Sequence, residues 1–194
     1  MATKKQSESE KGKTKVLVVD DHSVIRQGLA RLIEMQPDLV VCGEAANAPD
    51  CLEAIKTLSP DIVIVDILLD KDISGLELIK QIRSNYFQLP VLVLSMYDET
   101  VFAERVIRAG AKGYVMKTEP PEVIIVAIRR ILGGKIYLSD NMSTRMLSSF
   151  VKGRGQPAEL SVSRLTDREL EILELVGRGL GTSKIAARAF VCKP

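Results

Sequence analysis

Val16-Leu17-Val18-Val19-Asp20-Asp21 sets four branched apolar residues directly against two acids. A run this short, with no polar residue at alternate positions, suits a strand buried on both faces, as parallel sheets require. The run extends back to Lys15, and others like it stand at Leu39 to Gly43, Ile62 to Val65, Val91 to Leu94 and Tyr114 to Met116. Between them apolar residues return at helical spacing: Ile25, Leu29, Leu32 and Ile33; Leu76, Ile79 and Ile82; Val123, Ile124, Ala127, Ile128 and Ile131. Breakers close the units at Gln36-Pro37, Ser59-Pro60, Leu89-Pro90, Gly110 and Gly133-Gly134. The alternation predicts one doubly wound α/β domain, a parallel sheet of five strands with five helices, from about Val16 to Leu132.

In such a sheet the reactive crevice lies beyond the carboxyl ends of the strands, where strand order reverses. Asp20 and Asp21 end the first run and Asp66 ends the third, so three carboxylates are expected in one pocket. Left alone they would repel one another; a hard divalent cation relieves this, and Mg²⁺ suits carboxylate oxygens, waters and a phosphoryl oxygen. Ser95 follows the fourth run and Lys117 the fifth, placing a hydroxyl and an ammonium where each can contact phosphoryl oxygens. Taken singly, each residue has a plainer reading: an Asp after a strand often caps a helix, Ser95 suits a cap, and Lys117 a solvated charge. Taken together, an acid pair, an acid, a hydroxyl and a lysine at the ends of four different strands favour phosphoryl chemistry on a carboxylate. His22 adjoins the acid pair, and its position predicts a partly exposed helix start with no part in the chemistry.

The chain has 194 residues, 46% of them hydrophobic, enough for one full core and a smaller second unit. Its 27 basic and 25 acidic residues leave a net charge of +2, so no global field points to nucleic acid or membrane. Cys42, Cys51 and Cys192 form no C-x-x-C pair, which argues against a disulfide framework or zinc site and for a reducing, cytoplasmic setting. No apolar run is long enough for a membrane span or signal peptide. Residues 1–15 are polar and expected to be a disordered tail.

After Gly134 the pattern weakens, and 135–164 reads as a linker with a short helix around Met142 to Val151. Leu165-Thr166-Asp167-Arg168-Glu169 then opens a new helix, with Thr166 and Glu169 at capping-box spacing and Leu170, Leu173 and Val176 on one face. A second helix is predicted from about Ser183 to Phe190.

Four stretches resemble the receiver domain of bacterial two-component response regulators of the NarL/FixJ subfamily: Val16 to His22, Asp61 to Asp66, Val91 to Ser95 and Ala109 to Lys117. The resemblance implies a flavodoxin-like receiver over 16–134 with strand order 2-1-3-4-5. It implies Asp66 as phosphoacceptor from a sensor histidine kinase, Mg²⁺ held by Asp20, Asp21, Asp66 and the Leu68 backbone carbonyl, and Ser95 and Lys117 reading the product. Tyr114, three residues before Lys117, stands at the place of the switch aromatic, whose ring is expected to turn inward as Ser95 moves to the phosphoryl group. The implied protein is a switch that gains and loses its own phosphoryl group, not an enzyme acting on other molecules, and it forms a phosphorylation-dependent homodimer. The family's proline and glycine close after the acceptor are replaced by a longer loop, Ile67 to Gly75, carrying Asp70 and Asp72.

Residues 165–194 resemble part of a LuxR-type helix-turn-helix, an incomplete all-α unit. A recognition helix would need about ten residues or more after Phe190, where Val191 to Pro194 follow, and Glu159 to Pro194 carries six basic against five acidic residues. The family implies transcriptional output through DNA; for this chain weak or no specific DNA binding is expected. Two alternatives use the same residues: a receiver-only protein acting through protein partners, and an aspartate-nucleophile phosphatase. The phosphatase wants a carboxyl general acid two residues past the nucleophile, where Leu68 stands.

Overall fold

The computed structural model describes residues 12–69 and 74–151, together with 165, 166, 169, 172, 173, 176, 177, 179 and 181–183. Five strands, β1 (Thr14–Val19), β2 (Leu39–Ala45), β3 (Ile62–Val65), β4 (Val91–Ser95) and β5 (Gly113–Met116), alternate with α1 (Ser23–Glu34), α2 (Ala48–Leu58), α3 (Gly75–Asn85), α4 (Glu99–Ala109) and α5 (Pro121–Leu132). The strands form one parallel sheet in the order β2-β1-β3-β4-β5, the expected topology. Strand order reverses at β1, where β2 lies on one side and β3 on the other, and the crevice opens beyond their ends.

Strand residues alternate between two cores. Leu17, Val19, Val63, Val65, Val91 and Val93 face α2, α3 and α4. Val16, Val18, Ile62, Ile64, Leu92, Leu94 and Val115 face α1 and α5. Because both faces are covered, the runs lack polar alternation, which is why they read as parallel strands. Asn47, Ser74 and Asp98 cap α2, α3 and α4 by accepting the backbone N–H of Asp50, Glu77 and Thr100.

Two boundaries differ from expectation. β1 starts at Thr14, inside the span 1–15 expected as tail, because the Thr14 N–H donates to the Asp38 carbonyl at 2.9 Å and the Lys15 N–H to Asp61 Oδ2 at 2.7 Å. The helix expected around Met142 to Val151 is α6 (Asp140–Val151), whose first turn is tied by the Met142 N–H donating to Ser139 Oγ at 3.1 Å.

The segment before α6 runs back along the sheet. Tyr137 makes a parallel bridge to Gly113 beside β5; the Tyr114 N–H donates to the Tyr137 carbonyl at 3.0 Å and the Tyr137 N–H to the Lys112 carbonyl at 2.9 Å. Met142 is buried in the same core as Phe102 and Val106 of α4, with Leu138 and Met146 partly buried against it. The Ser139 hydroxyl donates to Glu99 of α4. Thr166 and Glu169 form the expected capping box, the Thr166 N–H donating to Glu169 Oε2 at 2.8 Å and the Glu169 N–H to Thr166 Oγ1 at 3.2 Å. Leu173 and Val176, read on one face of this helix, are exposed. Leu170, Ile185, the body of the second predicted helix, the residues beyond it, Cys192 and the loop acids Asp70 and Asp72 lie outside the described residues.

Candidate functional site

Register brings the acids together. Val19 pairs with Val65, so the next residues, Asp20 and Asp66, leave the sheet side by side, fixed by the Asp20 N–H to the Ala45 carbonyl at 3.1 Å and the Asp66 N–H to the Val19 carbonyl at 2.9 Å. Lys117 reaches them from the end of β5, its N–H donating to the Ser95 carbonyl at 2.7 Å. Its ammonium donates to Asp20 Oδ2 at 2.5 Å and to Asp66 Oδ2 at 2.7 Å, with all three side chains buried. The remaining oxygens are also engaged: Asp20 Oδ1 accepts the His22 N–H at 2.9 Å, and Asp66 Oδ1 accepts the Leu68 N–H at 3.2 Å.

Burial raises the Asp66 carboxyl above its ordinary value, outweighing the Lys117 ammonium that pulls it down, while Asp20 adds repulsion in the same sense as burial. For Lys117 burial lowers proton affinity, but the nearby Asp66 and Asp20 carboxylates more than offset it and hold the ammonium above its usual value. The lysine therefore stays charged while the Asp66 carboxyl is under electrostatic tension.

That tension fits a divalent cation. Asp20, Asp21 and Asp66, three carboxylates, face one ammonium, leaving an excess of two negative charges, the charge of one such ion. Together with His22 they offer ligand atoms that all lie within 4.8 Å of one another, the one such group among the described residues. Oxygen-rich donors of this kind suit Mg²⁺, and receiver domains bind Mg²⁺ at this acidic pocket. A cavity of about 330 Å³ opens beside Asp66, lined by His22, Ile25, Leu68, Met96 and Lys117.

Ser95 and Tyr114 sit one layer away. Ser95 is buried at the end of β4, and its Oγ accepts the Tyr97 N–H at 3.2 Å. Tyr114 is fully buried, its hydroxyl donating to the Tyr97 carbonyl at 2.8 Å, while the Tyr97 ring stacks on Phe102 with centroids 4.8 Å apart. The ring expected to turn inward on switching is thus already inward, and the turn 95–97 connects it to the hydroxyl residue.

Three features escaped the sequence reading. Gly75 backs Asp66: a Cβ there would fall 2.2 Å from the Asp66 carbonyl oxygen and 2.7 Å from Ile67 Cα, and the Gly75 N–H donates to the Ile67 carbonyl at 2.9 Å. Met96, half-exposed after Ser95, shapes the cavity rim. His22, expected to be a bystander, turns Nδ1 toward both acids, 2.7 Å from Asp21 Oδ1 and 3.3 Å from Asp20 Oδ1. Its place beside the acid pair was the available signal; side-chain direction at a helix start is not written in spacing.

Residues 16–129 match the family model of the response regulator receiver domain. Over 180 residues the chain is 34% identical to the oxygen regulatory protein NreC of Staphylococcus carnosus, an overlap covering 91% of this chain and 83% of that protein. A two-component response regulator of the LuxR family from an Aurantimonas species superposes with a TM-score of 0.66 at 32% identity, covering 72% of this chain and 99% of that one. The signal receiver domain of the response regulator NarL from Mycobacterium tuberculosis gives 0.60 at 28% identity, covering 63% of this chain and 98% of that one.

Proposed function

Because the chain belongs to the response regulators of two-component systems, of the NarL/FixJ type that controls transcription, we propose that Asp66 is its phosphoacceptor. What carries the reading is the buried Lys117 ammonium shared by Asp20 and Asp66 at the ends of β1 and β3, beside an open cavity.

The Asp66 carboxylate attacks phosphorus in line, an O–P bond forming as the N–P bond of a kinase phosphohistidine breaks and the released imidazole regains a proton. Asp20, Asp21, Asp66 and the Leu68 carbonyl would hold Mg²⁺, which would supply positive charge against the phosphoryl oxygens. Lys117 transfers its pairing from Asp66 to a phosphoryl oxygen, keeping the buried charge compensated. Ser95 donates its hydroxyl to another. Since Ser95 Oγ accepts the Tyr97 N–H and the Tyr97 carbonyl accepts the Tyr114 hydroxyl, movement of Ser95 loads the hydrogen bond that holds the switch ring, shifting its population by differential contacts. Partners are a histidine kinase at the cavity and, after phosphorylation, a second copy of the chain; the exchange takes place in the cytoplasm. No helix among the described residues is long and apolar enough to cross a membrane.

Intact-protein mass after incubation with acetyl phosphate and Mg²⁺ tests the acceptor. One phosphoryl adduct is expected, absent in Asp66→Asn and absent without the metal. An adduct that survives in Asp66→Asn places the acceptor elsewhere.

A further inference from the structure

His22 occupies the N-cap position of α1 with extended backbone (φ −84°, ψ 107°), yet its side chain makes no cap hydrogen bond. Instead the ring turns back over the strand end, while the His22 backbone N–H donates to Asp20 Oδ1 at 2.9 Å. Its side chain is 64% exposed, but Nδ1 faces the acids, 2.7 Å from Asp21 Oδ1 and 3.3 Å from Asp20 Oδ1. Two acids face the same nitrogen, and the ligand atoms of Asp20, Asp21, His22 and Asp66 all lie within 4.8 Å of one another.

Those spacings resemble one coordination shell. With metal–ligand bonds of about 2.1 Å in an octahedron, neighbouring donors stand about 3 Å apart and opposite ones about 4.2 Å. The two nitrogen–oxygen distances bracket the neighbouring value, and the whole group needs only a slight contraction. A cation entering between Nδ1 and the carboxylates would accept the nitrogen lone pair, with the ring's proton then on the exposed Nε2.

We propose that His22 is a nitrogen ligand at this cation site, so that the site takes a first-row divalent ion such as Mn²⁺ in preference to Mg²⁺. The inference rests on the cation-assisted acceptor reading above and adds a ligand to it. An imidazole nitrogen adds affinity for Mn²⁺ and the ions that follow it in the first row, whereas Mg²⁺ favours oxygen and sheds water reluctantly.

His22 is the only histidine in the chain, so a tag-free sample gives an unambiguous signal. Pulsed electron paramagnetic resonance of bound Mn²⁺ should show coupling to one imidazole ¹⁴N, lost in His22→Gln. Competition titration should show Mn²⁺ binding at least about tenfold tighter than Mg²⁺, with that ratio falling about tenfold in the variant. Bound Mn²⁺ with oxygen ligands alone overturns the proposal, a result that needs no variant to fold; so does an unchanged ratio in folded His22→Gln. The acetyl phosphate adduct, measured separately with Mg²⁺, keeps the two readings apart. An Asp66 adduct beside oxygen-only Mn²⁺ sinks the ligand and spares the acceptor, and nitrogen-bound Mn²⁺ without an adduct does the reverse.

Discussion

At the ends of β1 and β3, Asp20, Asp66 and Lys117 are buried ions that hold one another. At the outer edge of β5, by contrast, two backbone hydrogen bonds to Tyr137 and the burial of Met142 hold the chain in place. The first region retains an excess of negative charge that burial makes costly; the second is held by apolar packing and satisfied backbone groups, which favour the folded state without any ligand. A binding event therefore has the most to gain at the acid site, and the β5 edge is the element that such an event must work against. Tyr114 belongs to both, its hydroxyl on the Tyr97 carbonyl near the acid site and its N–H on the Tyr137 carbonyl at the edge.

Gly75→Ala should break the contrast most severely. The added Cβ would meet the Asp66 carbonyl oxygen at 2.2 Å and Ile67 backbone atoms at 2.7 Å, and backbone atoms cannot rotate aside as a side chain can. The loop after Asp66 must move, at a cost of about 3 kcal/mol, the upper end of the usual penalty for overpacking. Denaturant unfolding should register the loss, and the acetyl phosphate adduct should disappear even in the fraction that stays folded. Near-normal stability with a normal adduct would show that the loop tolerates displacement and that the acid site is not tightly positioned.

A smaller effect is expected at the other region. Met142→Ala removes a side chain 2% exposed in the core beside α4, a truncation worth about 2 kcal/mol or more where the site cannot collapse. The loss should appear as faster amide exchange at Tyr114 and Tyr137, whose N–H groups bridge β5 and the segment before α6. Uptake of phosphate on Asp66 should stay as in the native chain, since Met142 does not line the cavity. Reduced uptake would mean that the two regions are coupled more tightly than separate cores and bonds require.

The same contrast governs what could be read from sequence. The acids were legible because a parallel sheet puts the ends of its strands in one place, so Asp20, Asp66, Ser95 and Lys117 could be assigned to strand ends from apolar runs alone. Tyr137 and Met142 carry no such signal: Ser139 to Gln156 is dilute in apolar residues, and the docking depends on a β5 edge that exists only in three dimensions. Gly75 was visible as a letter but not as a contact, because its role depends on how closely the start of α3 approaches the Asp66 backbone. Lys117 shows the opposite limit. Spacing placed it at the site, but only geometry reveals that it bridges both acids.

Asp66→Asn sharpens the comparison on the charge side alone. Burial holds the Asp66 carboxyl above its ordinary value of 3.8 despite Lys117, so the ionised form is less favourable in the folded protein than in the unfolded chain. The favourable contribution of the protonated acid is fully present below its unfolded value and is lost as pH rises through the folded one. At neutral pH without metal the variant should therefore melt at a higher temperature than the native chain. The gap should narrow as pH falls toward the ordinary carboxylate value and close below it. Added Mg²⁺ should narrow the gap from the other direction, because a cation on the carboxylates stabilises the ionised native chain more than the amide variant. A variant that melts lower than the native chain at neutral pH without metal would mean that the Lys117–Asp66 pair contributes more than burial costs. In that case the acid site would be as stable on its own as the β5 edge.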